Sequence, residues 1–170
     1  MVITLIGMPG AGKSCMGKIL AKRFHKKFLD GDRLIEQIEG KALHELISEH
    51  GLEGFKRIEE QTLLSIEDDD IIFSPGGSAV YYDSVMQQFK ERGIIVYLYI
   101  APDTLERRLG DYSKRGIVLK DGQTLADLYH ERAPLFEKYA DVTVDCNGTA
   151  YSRYRANLIA KVGKLIAETE

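Results

Sequence analysis

The sequence predicts a three-layer α/β/α domain on a five-stranded parallel sheet. Apolar runs of strand length, among them "VITLIG" and "IIVYLYIA", read as strands covered on both faces. Segments with apolar residues at helical spacing alternate with these runs, the order that builds parallel sheets with helices on both faces. Polar and glycine-rich turns follow the predicted strands at 7–14, 30–32 and 76–78 and after Ile100. Ligands of such sheets sit beyond the carboxyl ends of the strands, so these turns should converge on one cleft.

Each element follows in turn. "VITLIG" is the first strand, and a helix over 13–24 carries Met16, Ile19, Leu20 and Phe24 on one face. "KKFLD" is a short second strand ending at Asp30, and a helix over 32–39 is stopped by Gly40. Another helix spans about 42–49, ends at His50-Gly51, and is followed by a longer one over 53–66. "DIIFSPGG" is a third strand breaking into a glycine turn. A helix over 84–92 is ended by Gly93, and 94–100 is the fourth strand. A helix opens at 103–109, and the polar, glycine-bounded stretch 110–122 reads as a mobile loop. Thr124 opens a helix to Tyr139 in which Pro134 either starts a new helix or kinks this one. "DVTVDC" is the fifth strand, and the last helix aligns Leu158, Ile159, Val162, Leu165 and Ile166.

Composition bounds what the chain does. Its 170 residues, 44% hydrophobic and 29% charged, suit one soluble domain, 1–170, with a sizeable core. A net charge of -3 offers no excess of Lys and Arg to neutralise nucleic-acid phosphates. No apolar run is long enough to span a bilayer, and no basic leader precedes Val2, so a cytoplasmic protein is expected. Cys15 and Cys146 lack metal-ligand spacing, and the four histidines are scattered. The acidic "EDDD" at 67–70 reads as a solvated loop.

The turn Gly7-Met8-Pro9-Gly10-Ala11-Gly12-Lys13-Ser14 fits G-x-x-x-x-G-K-[ST] in full, between a strand and a helix. Its glycines let backbone N–H groups converge on a phosphate, and the helix start adds its positive dipole end. Lys13 brings a charge to the β- and γ-phosphates, and Ser14 a hydroxyl to magnesium. Cys15 reads as a small buried filler rather than a reactive thiol. Asp30 and Asp32, two residues apart in extended chain, would face the same cleft. One would serve the magnesium shell and the other would take the proton of an attacking hydroxyl, unless "DGD" is only a solvated turn. No guanine-reading N-K-x-D occurs.

The order and spacing of "GMPGAGKS", "FLDGD", "GFKRIEE", "SPGGSAV", "IVYLYI", "SKRG" and "ERAPLFEKYADVTV" resemble the shikimate kinase family, within the nucleoside-monophosphate-kinase-like P-loop group. The resemblance covers nearly the whole chain. It implies ATP, Mg²⁺ and transfer of the γ-phosphoryl to a hydroxyl of shikimate, a step of aromatic amino acid biosynthesis. It further implies that Gly10, Ala11, Gly12, Lys13, Ser14, Cys15, Arg108 and Arg115 hold the nucleotide, with Arg108 along the adenine. Ser14 and Asp30 would serve the metal. Asp32 would bind the acceptor and act as base, Glu59 would support it, and Gly76, Gly77 and Ser78 would present the turn to it. Arg132 and Lys56 would meet the acceptor carboxylate. The acceptor region would be about 32–62, and Arg115 would close a lid at about 110–122. With Lys13 and Asp32 it completes the expected catalytic set. The chain is expected to work as a monomer on a small molecule, with neither nucleic acid nor membrane as partner.

Three positions depart from the family pattern. Phe55-Lys56 stands where Phe-Arg is usual, so the planar two-point grip on a carboxylate is lost. Arg57 points about 100° away on a helix and does not substitute. Ser78 replaces the third glycine, and Gly116 replaces the proline after the lid arginine. These departures leave open a related kinase for another hydroxy acid, such as a sugar acid. A nucleotide-binding protein without catalysis is the reading from a different class.

Overall fold

The computed structural model describes residues 1–110, 117, 119–148 and 150–169. In chain order the elements are β1 (Val2–Ile6), α1 (Lys13–Phe24), β2 (Lys27–Asp30), α2 (Gly31–Glu39) and α3 (Leu43–Leu64). Then come β3 (Ile71–Ser74), a 3₁₀ turn (Ala79–Tyr81), α4 (Asp83–Arg92), β4 (Gly93–Tyr99), α5 (Pro102–Leu109), α6 (Leu125–Tyr139), β5 (Val142–Asp145) and α7 (Tyr151–Thr169). The strands form one sheet in the order β2-β3-β1-β4-β5, and every pair is parallel. Both the strand count and the parallel arrangement agree with the sequence expectation.

β1 is buried at all five positions, which is why its sequence is apolar without alternation. On one side Ile3 and Leu5 join β4 to Met16 and Leu20 of α1 and to Leu158 and Val162 of α7. A smaller cluster joins Val2 and Phe73 to Leu63 of α3 and to Val85 and Phe89 of α4. A third, of Ile35, Leu46 and Phe55, fastens α2 to α3. Each fully buried Leu, Ile or Phe contributes roughly 1.5–3 kcal/mol over its exposed state. No helix among the described residues is long and apolar enough to cross a membrane.

Several local expectations change in detail. α3 is one helical rod interrupted at Gly51, whose φ of 69° breaks the helix where His50-Gly51 was expected to end it. α6 runs through Pro134 as one helix, at the loss of one backbone donor. Gly93 is the first residue of β4, and a Cβ there would lie 1.8 Å from the Val2 carbonyl oxygen. Its job is close strand approach, more than helix termination.

The acidic stretch 67–70 is exposed, yet Asp68, Asp69 and Asp70 are each ion-paired. Lys27 meets Asp68 at 3.2 Å, Arg92 meets Asp69 at 3.0 Å, and Lys26 pairs with Asp70. Arg92 also donates to the carbonyls of Ile66 and Asp68. These contacts stitch together the amino-terminal edge of β2, β3 and β4.

Candidate active site

At the opposite, carboxyl-terminal edge lies a cavity of about 1060 Å³. The loop between β1 and α1 forms one wall. Gly10 and Gly12 take φ of 81° and 89°, the left-handed region that glycine enters without steric penalty. α1 then starts at Lys13, so the free N–H groups of its first turn face the cavity mouth. Lys13 Nζ donates to the carbonyls of Gly7 (2.8 Å) and Met8 (2.9 Å), which holds the ammonium over the loop. Burial brings this ammonium down to about 8, against the upward pull of Asp32.

Ser14 Oγ donates to Asp30 Oδ2 at 2.9 Å, joining the two residues expected to serve magnesium. A hydroxyl and a carboxylate form a hard oxygen donor set, suited to an ion that keeps most of its water and phosphate ligands. No cluster of three or more His, Cys, Asp or Glu metal ligands occurs among the described residues.

Asp30 and Asp32 both line the cavity, though not through extended chain. Asp30 is the last strand residue and the N-cap of α2, accepting from Arg33 N at 3.3 Å, while Asp32 sits in the first helical turn. The chain turns helical at Gly31 because the Asp30 carboxylate satisfies a free N–H there. Burial raises the Asp32 carboxyl to about 6, helped by the charges of Asp30 and Glu59 and opposed by Lys13.

Glu59 projects from α3 and is only 2% exposed. Ser78 Oγ donates to its two oxygens at 2.8 and 2.9 Å, and Tyr82 OH donates at 2.6 Å. Burial raises the Glu59 carboxyl above its ordinary range, and the Tyr82 and Ser78 hydrogen bonds work against that rise. The glycine turn permits this crowding. A Cβ at Gly76 would lie 2.6 Å from Asp32 Oδ1, and one at Gly77 would lie 2.8 Å from Arg132 Nη1.

Arg132, on α6 and 8% exposed, stacks over the Tyr81 ring at 5.3 Å and donates from Nε to its hydroxyl at 3.3 Å. Tyr81 in turn donates to Glu131 Oε1 at 2.7 Å. The adjacent tyrosines Tyr81 and Tyr82 therefore divide their labour: Tyr81 holds a cation and Tyr82 an anion. Their hydroxyls had no motif to betray them. Lys56 also lines the cavity and pairs with Glu53 at 3.2 Å, whereas Arg57 is exposed and turned away.

Beside the first turn of α1 a smaller cavity of about 420 Å³ is lined by Arg108, Tyr151, Tyr154 and Cys15. Arg108 Nη2 donates to the carbonyls of Cys146 (2.7 Å) and Gly148 (3.0 Å) and lies 5.6 Å over the Tyr154 ring. Cys15 is exposed, with Sγ 3.0 Å from Tyr151 OH, so it is not the buried filler that was expected. Cys15 lies on the open side of the first helical turn, whereas its neighbour Met16 enters the core. Arg115 and Gly116 lie outside the described residues.

The family model for shikimate kinase matches residues 9–163. The chain belongs to the shikimate kinase family. It is 32% identical to a shikimate kinase of Francisella tularensis subsp. novicida over 170 residues, covering 98% of this chain and 94% of that one. A shikimate kinase structure from Acinetobacter baumannii in complex with shikimate superposes with a TM-score of 0.85 at 29% identity, covering 99% of this chain and 94% of the other. The shikimate kinase of Bacteroides thetaiotaomicron gives a TM-score of 0.81 at 27% identity, covering 98% of each chain. The fold is thus the α/β P-loop kinase fold expected from the sequence. Against that family pattern, the Ser78 departure acquires a visible partner in Glu59, while the Lys56 departure leaves its ammonium on Glu53.

Proposed function

We propose that the chain is an ATP-dependent kinase that phosphorylates a hydroxyl of shikimate and works as one domain, 1–170. The observation that supports this most is the convergence of Lys13, Asp32, Glu59 and Arg132 on one cavity in a chain of this family. Lys13 and the N–H groups of the 7–14 loop hold the triphosphate. Ser14 and Asp30 serve Mg²⁺, which, when bound, neutralises charge on the β- and γ-phosphoryl oxygens. Asp32 accepts the proton of the attacking hydroxyl, the hydroxyl oxygen bonds to the γ-phosphorus, and the bond to the bridging oxygen breaks to release ADP. A carboxyl brought near 6 by burial is matched to that task at neutral pH. Arg132, held by Tyr81, meets the acceptor carboxylate, and Lys56 adds a second positive charge at the cavity. Arg108 borders the adenine subsite, and Arg115 serves as the lid arginine.

A panel of hydroxy acids in an assay coupled to ADP release tests this reading. Shikimate should give the highest kcat/KM, and Lys13→Ala should remove the rate while Arg132→Ala raises the acceptor KM far more than the ATP KM. A sugar acid outpacing shikimate would overturn the acceptor, and unimpaired turnover of Lys13→Ala would overturn the phosphate role.

A further inference from the structure

We propose that Ser78 and Tyr82 are positioning residues for the acceptor, acting as a two-hydroxyl clamp that fixes the buried Glu59 carboxylate against the glycine turn. This deepens the kinase reading and rests on it. Glu59 is the most deeply buried charged side chain described, and a buried carboxylate is costly unless its lone pairs are satisfied. Here the satisfaction comes from hydroxyls of the segment after β3, 19 and 23 positions away in the chain. Among the described residues no cation makes a hydrogen bond to Glu59, and Lys56, one helical turn away, is engaged with Glu53.

The described groups around Glu59 come from several elements. Lys56 lies on its own helix, Asp32 on α2, Ser78 and Tyr82 on the turn after β3, and Arg132 on α6. Burial and the Glu59 charge hold the Tyr82 phenol protonated far above its ordinary range, so it remains a donor at every physiological pH. Ser78 divides its hydroxyl between both carboxylate oxygens, which sets the rotation of the group as well as its place. The same carboxylate faces Gly76, whose missing Cβ leaves Asp32 and Glu59 converging on one point of backbone. A glycine at this position would have no hydroxyl to offer Glu59.

The test uses Ser78→Ala, Tyr82→Phe and the double variant of the full chain. A lost hydrogen bond to a buried charged group should raise the acceptor KM about tenfold in each single variant. ATP KM should stay within about twofold, a change too small to signal loss of a binding interaction. An unchanged acceptor KM in the double variant overturns the clamp, as does an equal rise in both KM values. A second readout needs no turnover: the ¹³C carboxyl titration of Glu59, identified against Glu59→Gln. Its midpoint should move upward in the double variant, since the two donors favour the ionised form. An unmoved midpoint overturns the clamp, whereas wild-type protein that is inactive on shikimate would overturn the acceptor reading alone.

Discussion

The Asp32 carboxyl and the Lys13 ammonium are both drawn toward neutrality by burial, one from below and one from above. In the proposed reaction each has a required charge state. Asp32 must be ionised to accept a proton, so kcat/KM for the acceptor should fall as pH drops below about 6. Lys13 must be protonated to hold phosphate, so kcat/KM for ATP should fall as pH rises above about 8. Steady-state profiles against each substrate would check this, and an acceptor profile flat from pH 5 to pH 7 would exclude Asp32 as the base. Lys13, Ser14 and the acidic pair were legible in the sequence because a short motif carries them at fixed spacing. The partnerships of Ser78, Tyr81 and Tyr82 were not legible, because those contacts cross from the turn after β3 to α3 and α6. Local spacing carries no trace of them. Cys15 was misjudged because the burial habit of its residue type was weighed above its place on the open side of the first turn.

Among elements, the β1–β4 pair bears the tightest constraint. Gly93 is opposite Val2 in the register, and its extended φ of 168° suits any residue, so the demand is for space alone. Gly93→Ala should therefore force the strands apart and destabilise the chain by about 3 kcal/mol, the upper end of overpacking costs. Urea unfolding would measure it, and a loss under about 0.5 kcal/mol, the scatter of ordinary surface changes, would refute the close approach. The alternation of strands and helices was readable from apolar periodicity, and so were the stops at Gly40 and Gly51. What periodicity hid was the turn at Asp30. Capping by a carboxylate bends the chain one residue earlier than extended geometry assumes, and it sends Asp32 into the cleft from a helix.

For the molecule as a whole, nucleotide binding should appear as stability. Mg²⁺ with ADP at a hundredfold excess over Kd should stabilise the folded form by about 2.7 kcal/mol. For a chain of this length that raises Tm by roughly 5–10 °C. Scanning calorimetry would record it, with adenosine giving a much smaller rise because it lacks phosphates for the 7–14 loop. An unchanged Tm would remove the nucleotide site from the account. The overall layout was foreseeable from sequence because parallel sheets gather their polar turns at one edge. The ion-paired opposite edge was not, since a run of acids looks the same whether solvated or paired.

That opposite edge, with Lys26, Lys27 and Arg92 laced to Asp70, Asp68 and Asp69, has a practical corollary. It stands a full strand length from the mouth of the cleft, and exposed pairs of this kind hold little energy individually. A surface anchor or fluorescent label attached at that corner would leave the entrance facing open solution.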